Sequence, residues 1–250
     1  MAVIAFVSGK GGVGKTSLTA ATAVALAQRG RRVLAIDLDP QNALRLHLGM
    51  DPADPAGWSR EGFGTAAIFE SAGGVSFLPF GALLEAELEE LEAVLQDDPR
   101  WLAERLADAA ARGRFDYVLI DTPPGPTVFL QQALQAAHRA LVVVLADAAS
   151  LTTLPMFFPL IDEFTAGRDG FQGSQILINQ LPHQSRLGHQ VRTAIHAHFP
   201  GRVAPVAVHR DAAVAEALAF ERTVLDYEPG AEACLDLQHL ADWLLATLES

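Results

Sequence analysis

At 250 residues, half of them hydrophobic, the chain is long enough to bury a large core, and a net charge of −12 with a pI near 5.0 gives it no overall attraction to nucleic acid or anionic lipid. Cys234 is the only cysteine, which excludes an intrachain disulfide framework and fits a reducing compartment. Residues 1 to 8 lack a positively charged leader and no uninterrupted apolar run nears the roughly 18 residues of a membrane span, so a cytoplasmic protein without a direct membrane anchor is expected.

Ala2-Val3-Ile4-Ala5-Phe6-Val7 reads as a strand buried on both faces, and Ser17 to Leu26 as an alanine-rich helix. Between them, Ser8-Gly9-Lys10-Gly11-Gly12-Val13-Gly14-Lys15-Thr16-Ser17 fits G-x-x-x-x-G-K-[ST] with Gly9 as the first glycine. In that setting the glycines let backbone N–H groups close around an anion, and the helix N-terminus adds partial positive charge. Lys15 can reach terminal phosphates, and the Thr16 hydroxyl can ligate Mg²⁺. A plain glycine-rich turn is the alternative, and composition weighs against it. The chain has 16 Arg and two Lys, Lys10 and Lys15, both inside this loop. Beside phosphates a compact ammonium is not interchangeable with a broad guanidinium.

Arg32 to Asp37 is a second predicted strand, with Leu38-Asp39-Pro40-Gln41-Asn42 at its carboxyl end, the edge where ligand sites gather in parallel sheets. Residues 51 to 64, rich in Pro, Gly and Asp and carrying Trp58, read as a surface loop, and Val75 to Pro79 as a short strand. Glu85, Glu87, Glu89, Glu90 and Glu92 mark an acidic helix whose charge serves either a solvated face or a docking face. A helix over Asp97 to Arg112, with Asp98 as N-cap and Gly113 as terminator, precedes a strand from Phe115 to Ile120 that ends in Asp121-Thr122-Pro123-Pro124-Gly125. A carboxylate at the tip of a buried strand is costly unless it is solvated or meets a cation, and the strand order places Asp121 beside Thr16 and its Mg²⁺. Next come a strand over Ala140 to Leu145, a helix over Leu151 to Thr165 interrupted at Pro155 and Pro159, and a strand over Gln175 to Ile178 ending in Asn179. The remainder reads as a helix over Ser185 to Phe199, a strand over Val203 to Val208, and helices over Asp211 to Phe220 and Ala231 to Leu248. No repeat, low-complexity tract or linker interrupts this order, which predicts one doubly wound α/β domain over residues 1 to 250 with a mainly parallel sheet.

The loop Lys10-Gly11-Gly12-Val13-Gly14-Lys15-Thr16 resembles the deviant Walker A motif of the ParA/MinD superfamily of P-loop ATPases, and the likeness covers nearly the whole chain. Asp37-Leu38-Asp39-Pro40-Gln41 resembles the family's first switch, Asp121-Thr122-Pro123-Pro124-Gly125 its second, and His209-Arg210-Asp211 with Glu216-Ala217 its nucleobase-side segment. The resemblance implies a P-loop NTPase fold, ATP and Mg²⁺ as cofactors, and ATP sandwiched in a two-fold homodimer in which Lys10 reaches the partner's nucleotide. It implies that Gly9 to Ser17 cradle the phosphates, with Lys15 and Thr16 acting in cis. Asp39 positions or activates the attacking water near the metal, Asp121 holds Mg²⁺ through water, and Asn179, Arg210 and Asp211 lie at the base. Asp37 either contributes directly or only orients its loop. His209 stands where relatives usually have proline, which leaves the base contacts open; an Asp acceptor could in principle recognise guanine N–H groups.

Absences sort the superfamily. After Asp211 the only basic Lys or Arg is Arg222, so the tail from Trp243 to Ser250 reads as core-packing rather than as a membrane helix. One cysteine cannot supply the paired cysteines of cluster-carrying relatives, and two tyrosines, Tyr117 and Tyr227, make no terminal cluster. Leu44 to Met50 followed by Gly57-Trp58, Leu78-Pro79-Phe80-Gly81, and Val208-His209-Arg210-Asp211 with Ala215-Glu216 are similar to the BcsQ family associated with bacterial cellulose synthase operons. That resemblance implies a switch that positions or assembles a cellulose synthase complex, working with small regulatory subunits and the complex's cytoplasmic parts, recruited to the inner membrane or cell pole through them. A DNA or cargo partitioning ATPase and an ATP-bound scaffold with little turnover are the alternatives, with nucleic acid disfavoured by the acidic balance.

Overall fold

Runs of Val, Ile, Leu and Ala alternate with amphipathic and alanine-rich segments, and each apolar run becomes a strand that helices must cover on both faces. The computed structural model describes residues 1–248, so Glu249 and Ser250 of the expected tail lie outside the described residues. The order is β1 (Ala2–Val7), α1 (Lys15–Ala27), β2 (Val33–Asp37), α2 (Leu44–His47), α3 (Trp58–Glu61), β3 (Phe69–Glu70), β4 (Ser76–Leu78), α4 (Glu85–Asp97), α5 (Trp101–Ala111), β5 (Tyr117–Asp121) and α6 (Val128–Ala136). It continues with β6 (Arg139–Leu145), α7 (Ala148–Thr165), β7 (Ser174–Asn179), α8 (Arg186–His198), α9 (Ala212–Ala219), α10 (Val224–Tyr227) and α11 (Glu232–Leu248).

The strands form one sheet of order β3-β4-β2-β5-β1-β6-β7, parallel except where β3 runs antiparallel to β4. Side chains alternate across it. Ile4 and Phe6 join a core with α1 and α11, while Val3, Ala5 and Val7 pack on the opposite face with residues of α5, α6 and α7. Arg29 clamps α1 to α11, donating from Nε to Asp242 Oδ1 at 2.6 Å and from Nη2 to the Gln238 carbonyl at 2.8 Å. No helix among the described residues is long and apolar enough to cross a membrane.

Four local expectations are corrected. Trp58 does not lie on a surface loop: its ring is buried in α3, packed edge-on against Phe80 with centroids 5.1 Å apart, and its indole Nε1 donates to the Asp37 carbonyl at 2.7 Å. Prolines 155 and 159 do not interrupt α7, because both lie on its exposed side, where the carbonyls deprived of a donor face water. Val203 to Val208 does not form a strand. Pro205 lacks a donor, so the segment meets the β7 edge by separate bonds rather than a ladder, Ala204 N donating to the Ile176 carbonyl and Val208 N to the Ile178 carbonyl, both at 2.9 Å. Asp98 caps the end of α4 rather than the start of α5, and its carboxylate turns the chain by accepting from Arg100 N at 3.1 Å. Gly113 does end α5, with φ +60°.

Because Trp58 ties α3 to the end of β2, losing its N–H leaves a buried carbonyl without its donor. Trp58→Phe should lower the unfolding free energy by about 1–3 kcal/mol and Trp58→Ala by about 3–5 kcal/mol. Urea unfolding monitored by far-UV circular dichroism measures both, and a loss under about 1 kcal/mol in the alanine variant would contradict the packing described.

Candidate functional site

The carboxyl ends of β2, β5 and β1 meet at one edge of the sheet, and the glycine-rich loop lies over them. Gly14 caps α1 in the left-handed region, with φ +88°, and a Cβ there would meet the Asn179 amide nitrogen at 2.4 Å. Only glycine satisfies both demands. The Asn179 amide donates to the Val13 carbonyl at 2.8 Å, so the end of β7 holds the loop from the far side. Gly125 N donates to the Ser8 carbonyl at 2.9 Å, tying the segment after β5 to the start of the loop. Gly9, Gly11 and Gly12 are exposed along the loop's outer rim, while Thr16 and Ser17 are half-buried at the first turn of α1.

The two lysines are in contrasting places. Lys15 is buried, and its ammonium donates to Ser8 Oγ at 2.9 Å. Burial lowers its pKa, opposed by the nearby carboxylates of Asp121 and Asp39. Lys10 sits at the rim with its side chain 40 % exposed, paired with Asp147 at 3.1 Å. Asp147 is the N-cap of α7, accepting from Ser150 N at 2.6 Å.

Beneath Lys15 the strand register puts two acids side by side, with Asp37 of β2 directly opposite Asp121 of β5. Both are fully buried. Asp37 is satisfied: Oδ1 accepts from Asp39 N at 2.9 Å and Oδ2 from Leu44 N at 3.0 Å. Asp121 is not, since neither of its buried oxygens makes a well-formed hydrogen bond. Burial pushes both acids up, Asp37 well above the usual carboxylate range, with Asp121 adding to the rise. At Asp121 the neighbouring Thr16 hydroxyl and Lys15 ammonium pull the other way. A buried carboxylate without a well-formed hydrogen bond, beside a hydroxyl and an ammonium, could hold a cation next to an anion.

Asp39 stands where the chain turns away from β2, its Oδ1 accepting from Gln41 N at 2.9 Å, and its charge reaches both Lys15 and Asp121. Asn42, with φ +52°, accepts at Oδ1 from Phe80 N at 3.0 Å and so fixes the turn onto the segment after β4. A cleft of 750 Å³ opens beside the loop, lined by Gly14, Ser17, Asn179, His209, Arg210 and Asp211. The exposed Arg210 borders it. Asp211 is committed elsewhere: it caps α9 by accepting from Ala213 N at 3.0 Å, and its other oxygen accepts from Ala233 N at 3.3 Å. Another cleft, of 460 Å³, lies by Met1, His138 and Arg168 at the amino-terminal edge, away from this chemistry.

Sequence reasoning brought Lys10, Lys15, Thr16, Asp39, Asp121 and Asn179 to one edge of the sheet. It missed Ser8 as the partner of Lys15, Asp147 as the partner of Lys10, and Trp58 and Asn42 as supports of the first switch. The Asp147-x-x-Ser150 spacing is the one sequence signal that marks any of these, as a helix start.

The chain is similar to known proteins over nearly its whole length. A curated relative, cellulose biosynthesis protein BcsQ of Escherichia coli (strain K12), is 31 % identical over 261 residues, covering 98 % of this chain and 94 % of the relative. The chromosome-partitioning ATPase Soj of Thermus thermophilus is 29 % identical, with 98 % of this chain and 96 % of Soj covered. Among solved structures, cobyrinic acid a,c-diamide synthase from Mycobacterium smegmatis, with bound ADP and magnesium, superposes with a TM-score of 0.83 at 25 % identity, covering 100 % of this chain and 96 % of that one. The family described as cellulose biosynthesis protein BcsQ matches residues 1–245, and the chain belongs to this family of ParA/MinD-like proteins.

Proposed function

We propose that the chain is a Mg²⁺-dependent ATPase whose ATP-bound form is a two-fold dimer, and that this dimer is a switch for positioning or assembling a bacterial cellulose synthase complex. The observation that carries the reading is Asp121, a fully buried carboxylate with no well-formed hydrogen bond, beside Thr16 and Lys15. Such a group is costly in a folded protein unless a ligand completes it. The donor set of Thr16 hydroxyl and Asp121 carboxylate suits hard Mg²⁺, which binds through few protein oxygens and keeps waters. The solved relative's ADP and magnesium support the same pairing.

In this reading the ion, when bound, neutralises charge on the phosphate chain. Thr16 and Asp121 hold it, the latter through water, and Asp39 lies near enough to share its field. Lys15, pre-placed by Ser8, faces the terminal phosphates in cis, and residues Gly9 to Ser17 enclose them with backbone N–H groups. Asp39 orients the attacking water. Asp37, already occupied by two backbone donors, acts by holding the first switch in place. The base lies in the cleft beside Asn179 and Arg210; Asp211 shapes that wall through its caps.

Lys10 supports the dimer. Its ion pair with Asp147 is exposed, and pairs of that kind contribute about 1 kcal/mol or less, so the ammonium is released cheaply when a better anion approaches. Across a two-fold interface that anion is the partner's nucleotide. Lys10→Ala should therefore keep ATP affinity within about threefold, well below the tenfold that 1.4 kcal/mol represents, while losing ATP-induced dimerisation and hydrolysis. Light scattering with ATP and with ADP measures the dimer, and an equally ATP-dependent dimer in the variant would remove the trans role.

Asp121→Asn gives a second expectation with a definite sign. An acid whose pKa is raised on folding makes the folded chain hold more protons than the unfolded one, so stability falls as pH rises from the ordinary carboxylate range, about 4, toward the raised value. The amide removes that cost. The nucleotide-free variant should melt higher than the parent at about pH 8, differ less near pH 5, and lose the Mg²⁺-dependent part of its stabilisation by ATP. A variant that is less stable at pH 8, or that keeps the full Mg²⁺ effect, would contradict the assignment.

The partner face in this reading is α4. Its glutamates Glu85, Glu87, Glu89 and Glu90 are exposed, together with Val94 and the preceding Leu84, and Leu95 is the one buried residue of the helix. Replacing Glu89 and Glu90 with lysine should weaken binding of a basic regulatory subunit and flatten its salt dependence without changing ATP affinity. Unchanged subunit affinity would return α4 to a solvated face.

A further inference from the structure

The geometry points to a second cation site, separate from the phosphate loop: His183, His209 and Glu232, with Asp236 hydrogen-bonded behind His209, form a binding site for a divalent transition-metal ion of the zinc class. Three separate stretches of chain build it. His183 follows Leu181 and Pro182, and Leu181 is bridged in parallel register to His209, with Leu181 N donating to the Val208 carbonyl and Arg210 N to the Leu181 carbonyl, both at 3.0 Å. That pairing brings the two imidazoles face to face, with centroids 4.8 Å apart and planes 7° from parallel. Glu232 and Asp236, one helical turn apart on α11, present their carboxylates to the same spot.

The distances suit shared ligation. His183 Nε2 lies 2.7 Å from Glu232 Oε2, while His209 Nδ1 lies 3.6 Å from Glu232 Oε1 and 2.9 Å from Asp236 Oδ2. The ligand atoms of His183, His209 and Glu232 all fall within 4.8 Å of one another. Zinc bound at about 2.0–2.2 Å to imidazole nitrogen and carboxylate oxygen in a tetrahedron sets neighbouring ligand atoms about 3.4 Å apart. The 2.7 and 3.6 Å separations of Glu232 from the two imidazole nitrogens bracket that spacing. Support for the ligands is already present, because Asp236 Oδ2 also accepts from His209 N at 2.8 Å and fixes that carboxylate against the 208–211 segment.

Ligand chemistry selects the ion. Carboxylate beside two imidazoles attracts a divalent cation, and mixed nitrogen and oxygen ligands favour zinc, cobalt or nickel over magnesium. The side chains of His183 and Glu232 are 49 % and 47 % exposed, so an ion enters directly from solvent. Once bound, it joins the loop after β7, the base-side segment that lines the nucleotide cleft and the start of α11, which otherwise meet there through hydrogen bonds and ion pairs.

Isothermal titration of the full chain, stripped with chelator and free of nucleotide and Mg²⁺, with zinc chloride tests this directly. Absorption spectra with Co²⁺ report the ligand geometry. One equivalent is expected to bind, Co²⁺ should give the intense visible bands of a four- or five-coordinate site, and excess Mg²⁺ should not displace it. His183→Ala and Glu232→Gln, both at half-exposed positions, should each weaken binding at least about tenfold with an unchanged circular dichroism spectrum. His189→Ala and His196→Ala, on the exposed face of α8, should change nothing. Absence of stoichiometric binding, or affinity lost with the α8 histidines and kept without His183 and Glu232, would overturn the site. So would displacement by Mg²⁺.

Discussion

Two carboxylates buried next to each other at the ends of neighbouring strands set the constraint around which this site is organised. Parallel pairing of β2 with β5 makes Asp37 and Asp121 direct neighbours, and burial raises the pKa of each. The fold deals with the two acids differently. Asp37 is satisfied structurally, its oxygens accepting from two backbone N–H groups that bend the chain into the first switch. Asp121 is left open toward Thr16 and Lys15, with neither oxygen completed by a well-formed hydrogen bond. In the proposed function one acid holds the geometry and the other takes a cation, a division in which stability is given up where a ligand restores it.

That arrangement depends on supports well away from the loop. Trp58 anchors the Asp37 carbonyl, Asn42 in its left-handed turn holds the segment after β4, and Leu38 N donates to the Asp121 carbonyl at 3.0 Å, so the chain leaving β2 is hydrogen-bonded to the end of β5. Thr122 Oγ1 donates to the Phe6 carbonyl at 2.8 Å and locks the end of β5 onto β1. A change of ligand at Asp121 is therefore felt along β5 and across to β2. The side chain of the rim lysine, Lys10, is held by an exposed ion pair that it gives up at little cost.

Much of the framework was legible in the sequence because its signals are local. Continuous apolar runs gave β1, β2, β5 and β6, and the glycine and lysine spacing located the loop. What was not legible depends on contacts between distant segments. Trp58 sits among Pro, Gly and Asp, the usual composition of exposed loops, and is buried because Phe80 and Trp101 supply a pocket. The segment from Val203 to Val208 has strand composition, yet Pro205 denies it the ladder. The prolines of α7 carry a local helix-breaking signal that their exposed placement overrides. Asp211 matched a motif, but its use as a double cap becomes visible only when the start of α11 is brought beside it. Pairings such as Lys10 with Asp147, 137 residues apart, have no local signature at all.

The central claim, that a cation takes up the buried carboxyl of Asp121, has a direct thermodynamic readout, because burial raises that group's pKa and ligation displaces protons from it. Binding of Mg²⁺·ATP would be measured by titration calorimetry at a pH just below neutrality in buffers of different ionisation enthalpy, for the parent chain and for the Asp121→Asn variant under the same conditions. The account predicts that the parent's apparent enthalpy shifts linearly with buffer enthalpy in the direction of net proton release, and that the variant shows no such release. A parent chain whose binding enthalpy is the same in every buffer would contradict it.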